Sequence, residues 1–484
     1  MIIDAWFAFT LLSLYFSCVM KSIFSNQSDI YKSSMVRTFF LLSIFFCTVS
    51  FAQVDEDIHR LALNLFNPIT FEAIPYWSED TTSIELIVFY RINPEIFFFA
   101  KTSAPQHEIY EPKGELVFEV FDEKDAAITR DFRPLQIQRN SLPVEGVPFS
   151  EELQGVVTFK LKKGLYKIVV ETKDIESGKS FINRDTKIDT RTFSSGLNIS
   201  PAIFVEPISS GAFSNDQMNF IPINRGGSMI IGQAGGCLLQ VISSDTNTDI
   251  HLSWKVNSKI ETDEDIPQEL YGEKCVQQNG TPSVIENLKH ISISIKMDSK
   301  HSRVVFIPIP IERLETGKYQ MNITMTQGTL KSTKDFFFHI IWPSKPHSLS
   351  NFKVAVDAVR HIATEGEIDS MTAFSSSNSM KAFRAFWQKH SPDTTHAFNP
   401  AMAEYYRRVD ETIKRFSSAN EIDGYRTDRG RIYILFGSPS FTNRLLKPNS
   451  APTEIWTYEK LKRRFTFTDQ RKTGNYLLIK MENY

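Results

Sequence analysis

Short runs of apolar and aromatic residues, separated by turn residues, recur through the first two thirds of the chain. One group extends over residues 58–193 and includes Ile84–Tyr90, Ile96–Ala100, Glu115–Phe121, Val156–Leu161 and Tyr166–Thr172. A second group extends over residues 203–342 and includes Ser228–Ile231, Leu238–Ile242, Ile250–Val256, His290–Lys296, Arg303–Ile309, Tyr319–Thr326 and Asp335–Ile341. Short runs with little helical periodicity predict the strands of antiparallel sandwiches. The pattern therefore predicts two β modules.

A similar turn occurs near the end of each β module. Gly164 precedes Tyr166, and Gly317 precedes Tyr319, in each case at the start of a late strand. The glycine permits a tight turn, and the tyrosine then enters the strand. This arrangement resembles the late-strand entry of immunoglobulin-like and fibronectin-like domains, in which a tyrosine often pins the corner. The repetition predicts two tandem immunoglobulin-like β-sandwiches.

The hydrophobic period changes after Trp342–Pro346, where apolar residues begin to recur at three- and four-residue spacing. Such stripes predict three helices, with stripe positions Phe352, Val356, Val359 and Ala363, then Met380, Phe383, Trp387 and His390, then Met402, Tyr405, Tyr406, Val409, Ile413 and Phe416. Asn399 and Pro400 suit the start of the third helix. Four strands are predicted after the helices, at Arg431–Phe436, Glu454–Tyr458, Arg464–Thr468 and Tyr476–Lys480. Helices followed by an antiparallel meander make this an α+β domain.

These patterns divide the 484 residues into four parts. Residues 1–52 form a leader, residues 53–195 and 196–345 form the two sandwich modules, and residues 346–484 form the α+β domain. A chain of this length is too long for one hydrophobic core and agrees with about three domains. The expected fold class is mainly β, with two tandem immunoglobulin-like β-sandwiches followed by a three-helix and antiparallel-meander α+β domain.

The segment Met35–Ala52 has the features of a secretory signal peptide. Arg37 supplies a short basic region, and the apolar run Phe39–Val49 is too short to span a bilayer. We expect cleavage after Ala52, with Met35 as the true start and residues 1–34 as an over-extended reading frame. A buried core strand is the alternative for the apolar run. If Met1 is the true start, the upstream apolar residues would make a poor anchor.

Export implies a periplasmic or outer-membrane-associated protein whose mature chain has no transmembrane span. Because Tyr484 directly follows the last predicted strand, we expect no C-terminal sorting domain, which favours the periplasm.

Cys237 and Cys275 remain after cleavage. In an oxidising compartment they can form a disulfide, and two unpaired buried thiols are the alternative.

Composition and charge narrow the classes of function. The chain is 42% apolar and 23% charged, as in ordinary folded proteins. From His347 onward, 21 lysines and arginines stand against 15 acidic residues, a net charge of +6, whereas the whole chain carries −2. This excess would attract an anionic partner, or it forms a mixed solvated surface. Nucleic acid is not indicated, because no nucleic-acid-binding motif accompanies the charge. No spacing predicts a metal site, and no cofactor is expected.

The C-terminal part contains an ordered series of motifs: Glu404–Val409, Gly424–Tyr433, Gly437–Pro439, Glu454–Tyr458 and Phe465–Phe467. In this order they resemble the GWxTD domain, over roughly residues 346–484. The resemblance implies an exported bacterial protein, commonly with β-rich regions ahead of the domain, and a family without an established activity. Tyr425 stands where the family motif has its tryptophan, and Ser440 where an acidic residue is usual. A role that requires the indole therefore does not carry over, whereas an aromatic plug is retained.

The candidate binding residues form what we call the motif block: Tyr425, Arg426, Thr427, Asp428, Arg429 and Arg431, together with Arg407. Thr427 and Asp428 can bond nearby backbone donors, next to the tight turn that Gly424 permits. The arginines can hold carboxylates bidentately, either Asp428 or an outside ligand. Three interpretations remain open: an internal joint between helix and sheet, a recognition groove, and a catalytic centre.

Two functions follow from these features. The first is an exported, non-enzymatic envelope protein, in which the sandwiches act as spacers or binding modules and the GWxTD-like domain binds another envelope protein or a cell-surface polymer. The second is an envelope hydrolase with Asp423 or Asp428 as general base, although no recognisable nucleophile elbow is present. The basic segment Lys460, Lys462, Arg463 and Arg464 is expected to be a solvated hairpin tip.

Overall fold

The computed structural model describes residues 69–77, 83–102, 109–135, 137, 152–191, 196–208, 218–260, 267–287, 290–372, 376–418, 421–448 and 450–484. The predicted leader, with Met35–Ala52, Cys18 and Cys47, lies outside the described residues. The described residues belong to one compact unit, Pro68–Tyr484. Among the helices formed by these residues, none is long and apolar enough to cross a membrane.

The first β module is a sandwich of two antiparallel sheets. Sheet A has the strand order β1-β2-β7 and sheet B the order β6-β5-β8-β9, and β3 and β4 form a separate hairpin. The strands are β1 Ile69–Trp77, β2 Ile84–Ile92, β3 Phe99–Thr102, β4 Ile109–Pro112, β5 Gly114–Phe121, β6 Ala127–Pro134, β7 Leu153–Leu161, β8 Leu165–Asp174 and β9 Ser180–Asp189. The alternate residues Leu116, Phe118 and Val120 of β5 are buried against sheet A, as the period of a half-buried strand requires.

The second β module is also a sandwich, of sheets C and D. Sheet C has the order β17-β20-β14-β11-β12-β19-β18, with β10 beside β14, and sheet D has the order β13-β22-β21-β15-β16. The strands are β10 Asn198–Ile199, β11 Ile203–Pro207, β12 Asn219–Pro222, β13 Ser228–Ile230, β14 Gly235–Ile242, β15 His251–Lys259, β16 Glu269–Gly272, β17 Val276–Asn279, β18 Thr281–Asn287, β19 His290–Lys296, β20 Ser302–Ile309, β21 Gly317–Gln327 and β22 Leu330–Ile341. The predicted mainly β architecture with sandwich-like sheets is confirmed.

Sheet A is buried on both faces, which joins the two modules. One face of β2 packs in the core of the first sandwich, and the other face, with Ile87 and Phe89, packs against sheet C. On sheet C this second contact involves Phe220 and Phe306, whose rings lie 4.8 Å apart. The four sheets therefore stack in the order B, A, C, D. Burial on both faces explains why Ile84–Ile92 is an almost continuous apolar run rather than an alternating one.

Both predicted tyrosine corners are confirmed. The Tyr166 hydroxyl donates to the carbonyl of Lys162 at 2.8 Å, and the Tyr319 hydroxyl donates to the carbonyl of Glu315 at 2.9 Å. In each module the tyrosine thus bonds to the backbone four residues upstream, just before a long late strand. The repeated contact supports two domains of the same immunoglobulin-like type.

The C-terminal region contains five α-helices and a four-stranded sheet. The helices are α1 Phe352–Ala358, α2 Glu365–Thr372, α3 Ser376–Lys389, α4 Pro400–Phe416 and α5 Asp428–Phe436. Short 3₁₀ turns occupy Pro94–Ile96, Ile311–Arg313, His347–Ser350, Val359–His361, Gly424–Arg426 and Glu459–Leu461. Sheet E has the order β23-β24-β25-β26, with β23 Phe441–Leu445, β24 Thr453–Tyr458, β25 Arg463–Thr468 and β26 Leu477–Asn483.

Two details of the predicted α+β domain were wrong. The segment Arg431–Phe436, predicted as the first strand of the meander, lies in α5, and Phe441–Leu445 is the first strand instead. The described helices also number five rather than three. Thr427 caps α5, because its hydroxyl oxygen accepts the N–H of Gly430 at 3.0 Å, and Gly437, with φ of 78°, ends the helix. These end signals override the strand preference of the β-branched and aromatic residues between them.

The disulfide considered between Cys237 and Cys275 is not formed, since both are free cysteines. Cys237 pairs with Ile307 of β20, and Val276 pairs with the neighbouring residue Phe306 from the other side. The two cysteines are therefore two strand spacings apart, about 10 Å. A disulfide needs Cα atoms within about 7 Å. Burial raises the pKa of the Cys237 thiol well above its usual value, so this thiol stays protonated.

We expect Phe89→Ala to destabilise both β modules together, because Phe89 is fully buried between sheets A and C. The loss should be about 3–5 kcal/mol, as for other large core truncations. Hydrogen exchange measured by mass spectrometry on the full chain would test this, with faster exchange expected in both β8 and β21. Phe132→Ala, at an exposed position of β6, serves as the control. Faster exchange confined to β8 would show that the modules unfold independently.

We also expect both thiols to be available once the chain is unfolded. In denaturant without reductant, iodoacetamide should alkylate Cys237 and Cys275 fully, as peptide mass spectrometry would detect. Recovery of the two cysteine peptides linked to one another would contradict the structure.

Candidate functional site

Two glycines place the motif block in close contact with α4. A Cβ atom on Gly424 would lie 2.1 Å from the carbonyl oxygen of Thr412, and one on Gly430 would lie 2.1 Å from the carbonyl oxygen of Gly424. Real Cβ atoms do not approach this closely, so both positions need glycine for backbone packing. Thr427 lies between them and is buried, and its hydroxyl donates to the Gly424 carbonyl at 2.8 Å. The glycines and Thr427 are therefore structural.

Asp357 of α1 is the centre of the first charged cluster. Its carboxylate accepts the hydroxyl of Tyr425 at 2.8 Å and Nε of Arg426 at 2.7 Å, and it also pairs with Arg360. Tyr425 is buried and packs in the helical core, which confirms its expected role as an aromatic plug. One carboxylate thus anchors a buried phenol and two partly exposed guanidinium groups.

His361 lies beside the same cluster, in the 3₁₀ turn that follows α1. Its Nε2 lies 2.9 Å from the carbonyl oxygen of Tyr425 and donates to it. Burial lowers the pKa of His361 below its usual 6.5, and the nearby Arg431 and Arg360 lower it further, although the hydrogen bond to Tyr425 opposes them. The imidazole is therefore neutral at neutral pH.

Arg429 forms a buried ion pair with Glu454 of β24. Its Nη1 lies 3.2 Å from Glu454 Oε2, and Nη2 donates to the Gly474 carbonyl at 2.9 Å. The guanidinium also stacks 4.1 Å from the centre of the Tyr476 ring. Glu454 accepts the indole N–H of Trp456 at 2.7 Å as well. Arg429 therefore joins α5 to sheet E, and its interactions are internal.

The carboxylates considered for catalysis both lie beside arginines. Asp428 pairs with Arg431 at 3.4 Å and accepts the backbone N–H of Leu478 at 2.8 Å, and Asp423 lies 3.4 Å from Arg426. A general base needs a lone pair that is free to take a proton in the complex with substrate. In this arrangement the carboxylates instead position arginines.

Arg407 belongs to a separate part of the surface. It forms two hydrogen bonds to Glu404 on the same helix, at 2.6 Å and 2.9 Å. Arg408 bonds to the same carboxylate at 2.7 Å and to the Ile434 carbonyl of α5 at 3.0 Å. Arg407 therefore bonds a carboxylate of its own helix, whereas Arg426 bonds Asp357 and Arg431 bonds Asp428. No group of three or more potential metal ligands occurs among the residues that the structure describes.

Three residues central to this geometry were missed from the sequence: Asp357, His361 and Glu454. Asp357 and His361 lie on the polar side of the predicted first helix, more than sixty residues before the motif, and nothing local links them to it. Glu454 begins the motif Glu454–Tyr458, where alternation would have placed it on the same face as Trp456. That face is buried, and a buried carboxylate needs a cation beside it, so a buried cationic partner could have been predicted.

A surface depression of 390 Å³ lies elsewhere, on sheet D of the second sandwich. Lys259, Lys318, Phe337 and His339 are among its lining residues, and none of the motif block lines it. The ring of Phe337 lies 5.8 Å from the Lys259 ammonium. Of the motif block, only the arginines outside its buried residues Tyr425, Thr427 and Arg429 present much of their side chains to solvent.

Acidification should destabilise the cluster around His361. Because the folded state lowers the pKa of His361, the unfolded state binds the proton more readily, and stability is lost as the pH falls below about 6.5. His361→Gln keeps an N–H donor without a titrating ring. Between neutral and mildly acidic pH, we expect the melting temperature of this variant to fall less than that of the unaltered chain. The same change at the exposed His251 is the control, and an unchanged pH dependence in His361→Gln would refute the assignment.

A family model of the GWxTD domain matches residues 327–484. Of the solved structures, the ICAM-5 D1-D4 ectodomain fragment matches at 11% identity over 54% of this chain and 61% of that fragment, with a TM-score of 0.13. BspA_C_WT matches at 11% identity over 53% of this chain and 93% of that one, with a TM-score of 0.15. No curated protein matches the sequence significantly.

The family match begins before the boundary predicted at residue 346 and includes β22 of sheet D. It also covers every motif from Glu404 to Phe467 on which the resemblance depends. The C-terminal region of this chain, residues 327–484, is a GWxTD domain.

Proposed function

We propose that the chain is an exported, non-enzymatic envelope protein whose GWxTD domain binds another envelope protein or a cell-surface polymer. The binding surface we propose is the arginine face, defined as Arg360, Arg426 and Arg431. The observation that carries the proposal is the uneven exposure of the ion pairs on this face. The arginine side chains are 39–44% exposed, whereas two of their partners, Asp357 and Asp428, are 16% and 31% exposed. The third partner, Asp423, is 44% exposed and lies 3.4 Å from Arg426.

The three guanidinium groups therefore face the solvent, with the carboxylates of Asp357 and Asp428 behind them. A guanidinium has five N–H donors in a planar fork, so an arginine that bonds one carboxylate can still bind a second anion. The internal pairs also restrict the long side chains before a partner arrives, which reduces the entropy cost of binding. The excess positive charge from His347 onward supports an acidic partner. An acidic protein segment or an anionic polymer would fit.

The β modules suit the role of a rigid spacer. Sheets A and C of the B, A, C, D stack share one buried apolar cluster, which ties the two sandwiches together. The second module also contacts the GWxTD domain, where the Ala397 N–H donates to the Glu312 carbonyl at 2.7 Å and Phe398 packs against the apolar core of that module. Export, and with it a periplasmic or outer-membrane-associated location, is proposed from the segment Met35–Ala52.

We expect Arg431→Ala to lose partners while the domain stays folded. The Arg431 side chain is exposed and bonds only weakly to Asp428, so its removal should change stability by less than about 1 kcal/mol. Crosslinking in the native cell, followed by affinity purification and mass spectrometry, would show fewer captured partners than for the unaltered chain. Arg407→Ala is the matched control, because it also removes an exposed, carboxylate-paired arginine of the same domain, away from Asp357. If the unaltered chain, Arg431→Ala and Arg407→Ala all capture the same partners, the arginine face is not the binding surface.

Arg429→Ala separates a structural effect from a binding effect. Removing the buried cation leaves Glu454 with only the exposed Arg444, 3.5 Å away. The loss should cost about 3–5 kcal/mol, which circular dichroism and thermal unfolding would detect. Arg429 and Arg431 must therefore be changed separately, because a variant that lacks both would unfold and lose its partners for that reason. A stable Arg429→Ala variant that loses partners as Arg431→Ala does would place Arg429 in the binding surface.

A further inference from the structure

One end of sheet E carries a cluster of cations that the arginine face does not use. We call it the basic hairpin: Lys460, Leu461, Lys462, Arg463 and Arg464, in the turn from β24 to β25. Lys462 adopts a left-handed conformation, with φ of 50°, and closes the preceding 3₁₀ turn. Acidic residues at this end are fewer. Glu459 lies in the turn, and Glu482 is paired with Lys480 at 2.7 Å.

Exposed apolar side chains occupy the same end of the sheet. Leu461 is 47% exposed at the tip of the turn, and Phe441, at the start of β23, is 61% exposed. Phe441 pairs with Thr457, and Thr457 pairs with Arg464, so the phenylalanine and the arginine share one face of the sheet. The Tyr484 ring is 52% exposed and lies 5.1 Å from the Arg464 guanidinium. Cations and apolar groups are therefore interleaved.

The backbone at this end is already hydrogen-bonded. The Lys462 N–H donates to the Glu459 carbonyl at 3.1 Å, and the Tyr484 N–H donates to the Lys462 carbonyl at 3.0 Å. The Ser440 N–H donates to the Thr457 carbonyl at 2.8 Å, and the Glu459 N–H donates to the Ser440 hydroxyl at 3.2 Å. A segment that enters a membrane interface must satisfy its own backbone groups, because lipid offers few partners. These four contacts supply bonds of that kind.

We propose that the basic hairpin docks on the surface of a bilayer that contains anionic phospholipids. Lys460, Lys462, Arg463 and Arg464 would contact lipid phosphates, while Leu461 and Phe441 would insert among the headgroups. Charge alone would suit a soluble anionic polymer equally well. The exposed leucine and phenylalanine favour a bilayer, since a hydrated polymer gives them no apolar environment. This surface lies apart from the arginine face, so the inference stands without the proposed function.

The test is co-sedimentation of the full chain with vesicles. Binding is expected to vesicles of phosphatidylglycerol mixed with phosphatidylcholine, and not to phosphatidylcholine alone. Lys460→Glu/Lys462→Glu should weaken binding roughly 30-fold or more, since each cation near an anionic surface contributes about fivefold. Lys353→Glu/Lys381→Glu makes the same charge change at exposed positions of α1 and α3, and it should bind almost as the unaltered chain does.

Leu461→Ser distinguishes a membrane from a soluble polyanion. It leaves the charge unchanged and should weaken vesicle binding several-fold, with no effect on binding to heparin, a soluble polyanion. Thermal unfolding of each variant would confirm that the fold is retained. Three results would overturn the inference: equal binding to both kinds of vesicle, equal losses in the two double charge variants, or vesicle binding that Leu461→Ser does not change. Partner capture through the arginine face is a separate measurement, so either proposal can fail alone.

Discussion

The GWxTD domain depends on one buried ion pair, between Arg429 and Glu454. Both side chains are less than 10% exposed, and removing two charges from water costs several kcal/mol each before their attraction offsets it. The domain recovers this cost through further contacts, namely the Gly474 carbonyl, the Trp456 indole and the Tyr476 ring. Only arginine combines a planar donor fork with a face that stacks on an aromatic ring. Lysine could not replace it here.

This pair also explains the difference between the two sets of arginines. The Arg429 side chain is buried in the contact between α5 and sheet E. Once that contact is fixed, α5 holds Arg431 at the surface beside the turn that carries Arg426. The motif therefore contains both a structural and a surface component within a few residues. Substitutions that treat Arg429 and Arg431 as equivalent would mix the two effects.

The sequence was a good guide where one local pattern decided the structure. Period-two runs located most strands, and the Gly-x-Tyr repeat predicted both tyrosine corners. It misled at Arg431–Phe436, where the run Ile-Tyr-Ile-Leu-Phe favours a strand but Thr427 and Gly437 define a short helix. The contact of sheets A and C was not predicted either. Continuous apolar runs such as Ile84–Ile92 signalled burial on both faces, but they do not say which surface covers the second face.

In the candidate site, too, local sequence patterns predicted the roles of single residues but not their distant partners. Tyr425 as a plug followed from its place in the motif, and Thr427 was expected to bond a nearby backbone donor, as it does with the Gly430 N–H. Asp357 could not be foreseen, because its relation to Arg426 arises only when α1 packs on the turn before α5. The ion pair of Glu454 required knowing that α5 lies against the inner face of β24. Long-range pairings of this kind depend on the packing of whole elements, which no local spacing records.

Two surfaces of the GWxTD domain are thus fixed by two apolar clusters, to both of which α5 contributes. The helical core orients the arginine face, and the aromatic cluster of Trp456, Tyr458 and Phe465 beneath sheet E fixes the strands that end at the basic hairpin. Both surfaces are cationic, but only the hairpin adds exposed apolar side chains. If the hairpin rests on a membrane, the arginine face remains available to a second, acidic partner. The stacked sandwiches, joined to this domain where Ala397 bonds to Glu312 and Phe398 packs on the second core, would then hold the rest of the chain in a defined orientation to that surface.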